Sequence, residues 1–202
     1  MRYAVLLVAT GLLLSFGMAH ATVPDATYCS VTPCDTYGAV LVCPDYSISA
    51  GAVDPVVDIE FTVNVRNASN DPIPGAFVQT VLGTPGNHHV CNDAVLTATT
   101  DGAGNAVFNI AAGGCTIAAG AAVQIVANSV TIRTYDAVKS PDLIGSGDSD
   151  GIVSLEDFSF FAGTYGSTTD PCTDYKGSGM TELEDFSVFA RCYGRLCEEL
   201  AP

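Results

Sequence analysis

Ser154-Leu155-Glu156-Asp157-Phe158-Ser159-Phe160-Phe161-Ala162, running on to Tyr165-Gly166, returns 28 residues later as Glu182-Leu183-Glu184-Asp185-Phe186-Ser187-Val188-Phe189-Ala190, running on to Tyr193-Gly194. A repeat this close marks a duplicated structural unit. At about 100° per residue, Leu155, Phe158, Phe161, Ala162 and Tyr165 share one face, and Leu183, Phe186, Phe189, Ala190 and Tyr193 share its counterpart. Each copy therefore reads as a short amphipathic helix, and the two faces are expected to pack on each other.

Ahead of each helix lies a polar run, Ser146-Gly147-Asp148-Ser149-Asp150-Gly151 in the first copy and Asp174-Tyr175-Lys176-Gly177-Ser178-Gly179 in the second. Aligned with a twelve-position calcium loop, both place Gly at position 6, where the chain must turn sharply, and Asp at position 12. Loop 1 then offers Ser146, Asp148, Asp150, the Ile152 carbonyl, Ser154 and Asp157 as ligands. Loop 2 offers Asp174, Ser178, the Met180 carbonyl, Glu182 and Asp185, with Lys176 at position 3. An ammonium repels a cation and cannot ligate it, so loop 2 is the poorer site. In loop 1 the acid expected at position 1 is replaced by Ser146, and Asp142, four residues upstream, can take its place only if the loop is rearranged.

Paired loop-helix units with Asp at position 12 and a Leu-x-Asp-Phe helix start resemble the dockerin family of bacterial secreted proteins. The resemblance spans about residues 142 to 195. It implies a small calcium-folded module that docks onto a cohesin-type receptor and joins its chain to an extracellular assembly. Where that family often carries small hydroxyl residues early in the helices to contact the receptor, this chain has Leu155-Glu156 and Leu183-Glu184. Phe160 and its repeat equivalent Val188 fall off the shared apolar face. With Glu156 and Glu184 they are the expected partner contacts; the plainer alternative has Phe160 packing on the N-terminal part.

Residues 1 to 21 read as a secretory signal, with basic Arg2, an apolar run from Ala4 to Phe16 and an Ala19-His20-Ala21 end. Cleavage there would leave 181 residues with all eight Cys, an export-compatible disulfide set. Cys91 with Cys115 is the favoured pair, flanking an expected hairpin; five Cys precede residue 140 and three follow, so full oxidation requires one bridge between the halves. The net charge of −15 disfavours nucleic acid, whose phosphates need basic patches. No later segment is long and apolar enough to span a membrane.

Between residues 22 and 138 the chain reads as mainly β. The stretch 58–66 alternates polar and apolar, and short β-branched segments follow at 76–82, 94–100, 106–110, 121–127 and 129–134. With Ala39 to Cys43 they make about seven strands, as in an immunoglobulin-like sandwich. Asp101-Gly102-Ala103-Gly104-Asn105 signals a hairpin. The runs 63–67, 72–78 and 99–108 resemble bacterial invasin-type immunoglobulin-like repeats, which implies a spacer, adhesin or binding module for a surface glycan or protein. Residues 139–145 read as a linker, with Ser140-Pro141 at the boundary, and 146–197 as the helical module.

Catalytic motifs are not found: no Gly-x-Ser-x-Gly elbow, no His-Glu-x-x-His, no Lys-terminated phosphate loop. His88-His89 occupy a Gly-Pro-Asn-rich loop, the ordinary setting of surface histidines. The expectation is a non-catalytic exported protein that docks through its tail. Its rivals are an accessory enzyme acting on polysaccharide or peptide, and a tail that merely clasps its own sandwich.

Overall fold

The computed structural model describes residues 23–32, 39–43, 47–50, 60–83, 95–109, 112–143 and 149–196. The expected signal segment, His88-His89, Cys91, Ser146 and Asp148 lie outside them. The architecture is mainly β with two helices: β1 (Ser30–Thr32), β2 (Ala39–Cys43), β3 (Ser47–Ala50), β4 (Glu60–Asn64), β5 (Phe77–Leu82), β6 (Thr97–Thr99), β7 (Asn105–Asn109), β8 (Cys115–Ile117), β9 (Val123–Ala127), β10 (Val130–Tyr135), β11 (Ala137–Lys139), α1 (Leu155–Thr164) and α2 (Leu183–Cys192).

Three sheets form, ordered β1-β4-β7, β10-β9-β5-β6 and β3-β2-β11-β8. Inward residues at every second position of β4, β7, β5 and β9 meet in one core that includes Phe61, Val63, Ala106, Phe108, Val78 and Ile125. Phe61 and Phe108 are cross-strand partners with stacked rings 5.1 Å apart. The β9–β10 hairpin turns through Asn128 and Ser129, both at positive φ, which matches the right-handed twist of its strands.

The Asp101–Asn105 turn is not a hairpin. β6 pairs with β5 and β7 with β4, so this turn carries the chain from one sheet to another. Asp101 accepts from the Ala103 and Asn105 N–H groups, and Gly104, at φ +81°, lies so close to Val65 that no side chain would fit. The signal for a tight turn was real, and tertiary packing decided what it joins.

Of the segment read as a linker, the described residues 139–143 are buried. β11 runs antiparallel to β8 and parallel to β2, and Lys139, Ser140, Asp142 and Leu143 are all buried. Ser140 donates its N–H to Gly114 O, and Gly114 donates to Asp142 O, so the pairing of the sheet continues past β11 to the threshold of the helical module.

Candidate metal centre and docking face

The helical module has a local two-fold arrangement. Val153 N–H donates to Arg195 O and Gly194 N–H to Val153 O; 28 residues apart, Thr181 N–H donates to Ser167 O and Gly166 N–H to Thr181 O. Each loop is thus stitched to the segment beyond the other copy's opposite end, and the two units hold one another. Phe161 and Phe189 stack at 5.4 Å, and Tyr175 stacks on Phe161 at 6.1 Å. Val153, Val188 and Cys192 complete this core.

Each helix starts from its loop's terminal acid. Ser154 caps α1 by accepting from Glu156 N–H at 3.1 Å, while its own N–H donates to Asp157 Oδ2 at 2.7 Å. Glu182 N–H donates to Asp185 Oδ2 at 2.8 Å in the second copy. The remaining oxygens reach back across the loops: Leu143 N–H donates to Asp157 Oδ1 at 2.6 Å and Lys176 N–H to Asp185 Oδ1 at 2.8 Å.

The start of loop 1 is the main revision of the expected ligand set. In loop 2, Asp174 accepts from Ser178 N–H and Gly179 N–H, at 2.9 and 2.8 Å. In loop 1 the same two bonds, from Asp150 N–H at 3.1 Å and Gly151 N–H at 2.9 Å, go to Asp142. Asp142 therefore holds position 1, and the loop carries four extra residues between it and Asp150. Counting back from Gly151 placed Ser146 there because an insertion leaves no mark in a single copy.

Asp142, Asp150 and Asp157 each bring a carboxylate oxygen within 4.8 Å of the others. Two ligands on opposite sides of a calcium ion at about 2.4 Å would stand about that far apart, so the three fit a hard divalent cation. Asp142 and Asp157 are buried; at an effective dielectric near 20, full charges at that spacing repel by roughly 3 kcal/mol. Burial, with Asp157 and Asp150 adding to it, pushes the Asp142 carboxyl up to about 7 against the two N–H donors. A methyl on Gly113 would collide with this carboxylate, so the β part of the chain walls one side of the site. Ile152 donates its N–H to Asp150 Oδ1 and bridges to Leu196, and the Ser154 hydroxyl is spent on the helix cap.

Loop 2 is built differently. The Ser178 hydroxyl donates to the Met180 carbonyl at 3.0 Å, so two expected ligands satisfy each other. Among the described residues, the three acids of loop 1 are the one cluster of three or more His, Cys, Asp or Glu side chains close enough together to share a metal ion. Burial raises the Asp185 carboxyl, opposed by the N–H donors of Lys176 and Glu182.

The expected helix face and partner contacts need correction. Val188 is 1% exposed and belongs to the module's core, and Phe160 is half-buried; Glu156 and Glu184 are exposed. The apolar residues left outside come instead from the face expected to be buried: Leu155 and Leu183 are 65% and 68% exposed, and Tyr165 and Tyr193 54% and 53%. Two ten-residue helices can enclose Phe161 and Phe189 between them, but not five residues each. Leu155, Phe158, Phe186, Phe189, Ala190 and Tyr193 line a groove of about 410 Å³, with Tyr165 on the continuing surface.

Cys115 is bonded to Cys172, not to Cys91. Cys115 lies opposite Lys139 in the β8–β11 ladder, and the Lys139 ammonium donates to the carbonyl of Asp174, two residues beyond Cys172. The sheet edge meets the module there, so the bridge joins the two parts. Cys192 is also disulfide-bonded, while Cys29 is a buried free thiol. No helix among the described residues is long and apolar enough to cross a membrane.

No protein-family model matches the chain, and no curated protein is recognisably similar to it. Among solved structures it is similar to two from Acetivibrio cellulolyticus, a C-terminal and an N-terminal interface mutant of the type II cohesin-X-dockerin complex. Identity is 19% and 20%, coverage is 66% of this chain and 90% of the other, and the TM-score is 0.27 in both cases. A likeness that loose carries no argument about what this chain does.

Proposed function

We propose that this is a non-catalytic exported protein whose dockerin-like helical module, held by a calcium ion in loop 1, attaches the chain to a cohesin-type receptor. The immunoglobulin-like β part acts as a spacer or binding module. The observation that carries the reading is the paired exposure of Leu155 with Leu183 and Tyr165 with Tyr193. Large apolar side chains left in water at matched places of the two copies, Leu155 and Tyr193 of them lining the groove, are the composition of an interface centre. Glu156 and Glu184, each next to an exposed Leu in sequence, are exposed as well, and with a net charge of −15 the chain favours a receptor with an apolar centre and a basic rim.

The clasp reading also has support, since Cys115–Cys172 and Lys139 tie the module to its own sheet. That attachment uses the loop side and leaves the groove open, so the two readings are compatible.

The test is biosensor binding of the full chain to a panel of cohesin domains, with calcium and with chelator. Calcium-dependent binding, lost in the Leu155→Asp/Leu183→Asp variant, is expected. Equal binding by the variant, or no binding to any receptor, would contradict the reading. So would a dimer in sedimentation that the same substitutions dissociate, because the face would then be covered by a second copy.

A further inference from the structure

The two loops meet the same electrostatic problem with different means. Each gathers buried carboxylates: Asp142 and Asp157 in loop 1, Asp174 and Asp185 in loop 2. Beside loop 2 lies a buried cation that belongs to neither loop nor helix. Lys139, the last residue of β11 and only 4% exposed, sends its ammonium across to the Asp174 carbonyl. Burial lowers its affinity for the proton, and Asp174, Asp185 and Asp170, in that order, act to retain it. A buried ammonium persists only where paired charge and hydrogen bonding offset its lost hydration.

We infer that Lys139 serves as the tethered cation of loop 2, so that the chain takes up one divalent ion, at loop 1, and loop 2 stays folded without any. The internal bonds of loop 2 agree. The N–H bonds to Asp174 and Asp185 have counterparts at Asp142 and Asp157 in loop 1, but in loop 2 the Met180 carbonyl is also taken up, by the Ser178 hydroxyl. Position 5 of loop 2 carries no acid, and a divalent ion placed among Asp174 and Asp185 would meet the Lys139 charge at close range. Because Lys139 comes from the β part, the cation that closes loop 2 also binds the module to the sheet. The statement that one ion binds rests on the calcium reading of loop 1; the statement about Lys139 does not.

The experiment uses the full chain with its disulfides intact. Thermal unfolding in chelator compares wild type, Lys139→Met, Asp174→Asn/Asp185→Asn and the combination of all three. Lys139→Met is expected to lower Tm by about 5 °C or more, and by clearly less once the two acids are gone. Calcium titration calorimetry on wild type, Asp174→Asn and Asp142→Asn supplies a second readout that needs no Lys139 variant. One ion in wild type and in Asp174→Asn, and none in Asp142→Asn, is expected. Two ions in wild type with one lost in Asp174→Asn would overturn the inference, as would a Lys139→Met Tm equal to wild type in chelator. No ion in any protein would sink the calcium reading of loop 1 and leave the unfolding comparison to decide the role of Lys139.

Discussion

Asp142 shows how much one side chain contributes. It is fully buried, oriented by two backbone N–H groups, and stands among like charges. Without a metal its carboxyl holds its proton to about pH 7, against an ordinary 3.8. A folded-state value raised in this way gives a contribution fully present below about pH 3.8, and lost as pH rises through about 7. The metal-free protein is therefore expected to lose Tm as pH rises from about 4 to about 7 through this group. Asp142→Asn should flatten that slope, and calcium should offset it; thermal scans at both pH values check this. Asp142 was visible in the sequence as an acid near loop 1, but its assignment needed the insertion, which only the shared N–H pattern of Asp142 and Asp174 reveals. Asp150, just before the Gly at position 6, and Asp157, six residues after it, could be picked out as candidates because that Gly sets the register on both sides of it.

At the scale of elements, the duplicated stretch specified two helices, and they have equal length. Ser154→Ala removes the acceptor for Glu156 N–H and is expected to cost about 1 kcal/mol of stability, measurable by denaturant unfolding. Phe161→Ala removes a fully buried ring stacked on both Phe189 and Tyr175, and is expected to cost about 3–5 kcal/mol and to abolish the α-helical signal of the module first. What periodicity could not tell was how much of the apolar face would be covered. Tyr175 and Val188 fill the core from positions outside that face, which sends Leu155, Leu183 and the two terminal tyrosines to the surface. β4 was readable from alternation, β5, β6, β7, β9 and β10 from short β-branched segments, and β2 as the stretch Ala39 to Cys43. β1, β3, β8 and β11 are three or four residues long, too short to show a period.

In the whole molecule, the five residues from Lys139 to Leu143 matter most. They continue the sheet and supply Lys139 to loop 2, Asp142 to loop 1, and the Leu143 N–H to Asp157. A Ser-Pro step suggested a domain boundary within a linker, and the burial of residues 139–143 makes this stretch a packed seam between the two parts. Cys115–Cys172 closes a loop of 57 residues across that seam, worth about 4 kcal/mol in the chain-entropy picture. Cys115→Ser/Cys172→Ser is expected to lower Tm by roughly 10 °C, read by calorimetry. That bridge could not be deduced from spacing, because its partners meet only through the register of β8 with β11. The most direct measurement is calcium binding by the full chain when position 1 is removed two ways. Asp142→Asn is expected to abolish binding while Ser146→Ala leaves it at wild-type affinity. Undiminished binding in Asp142→Asn, or its loss in Ser146→Ala, would contradict the site.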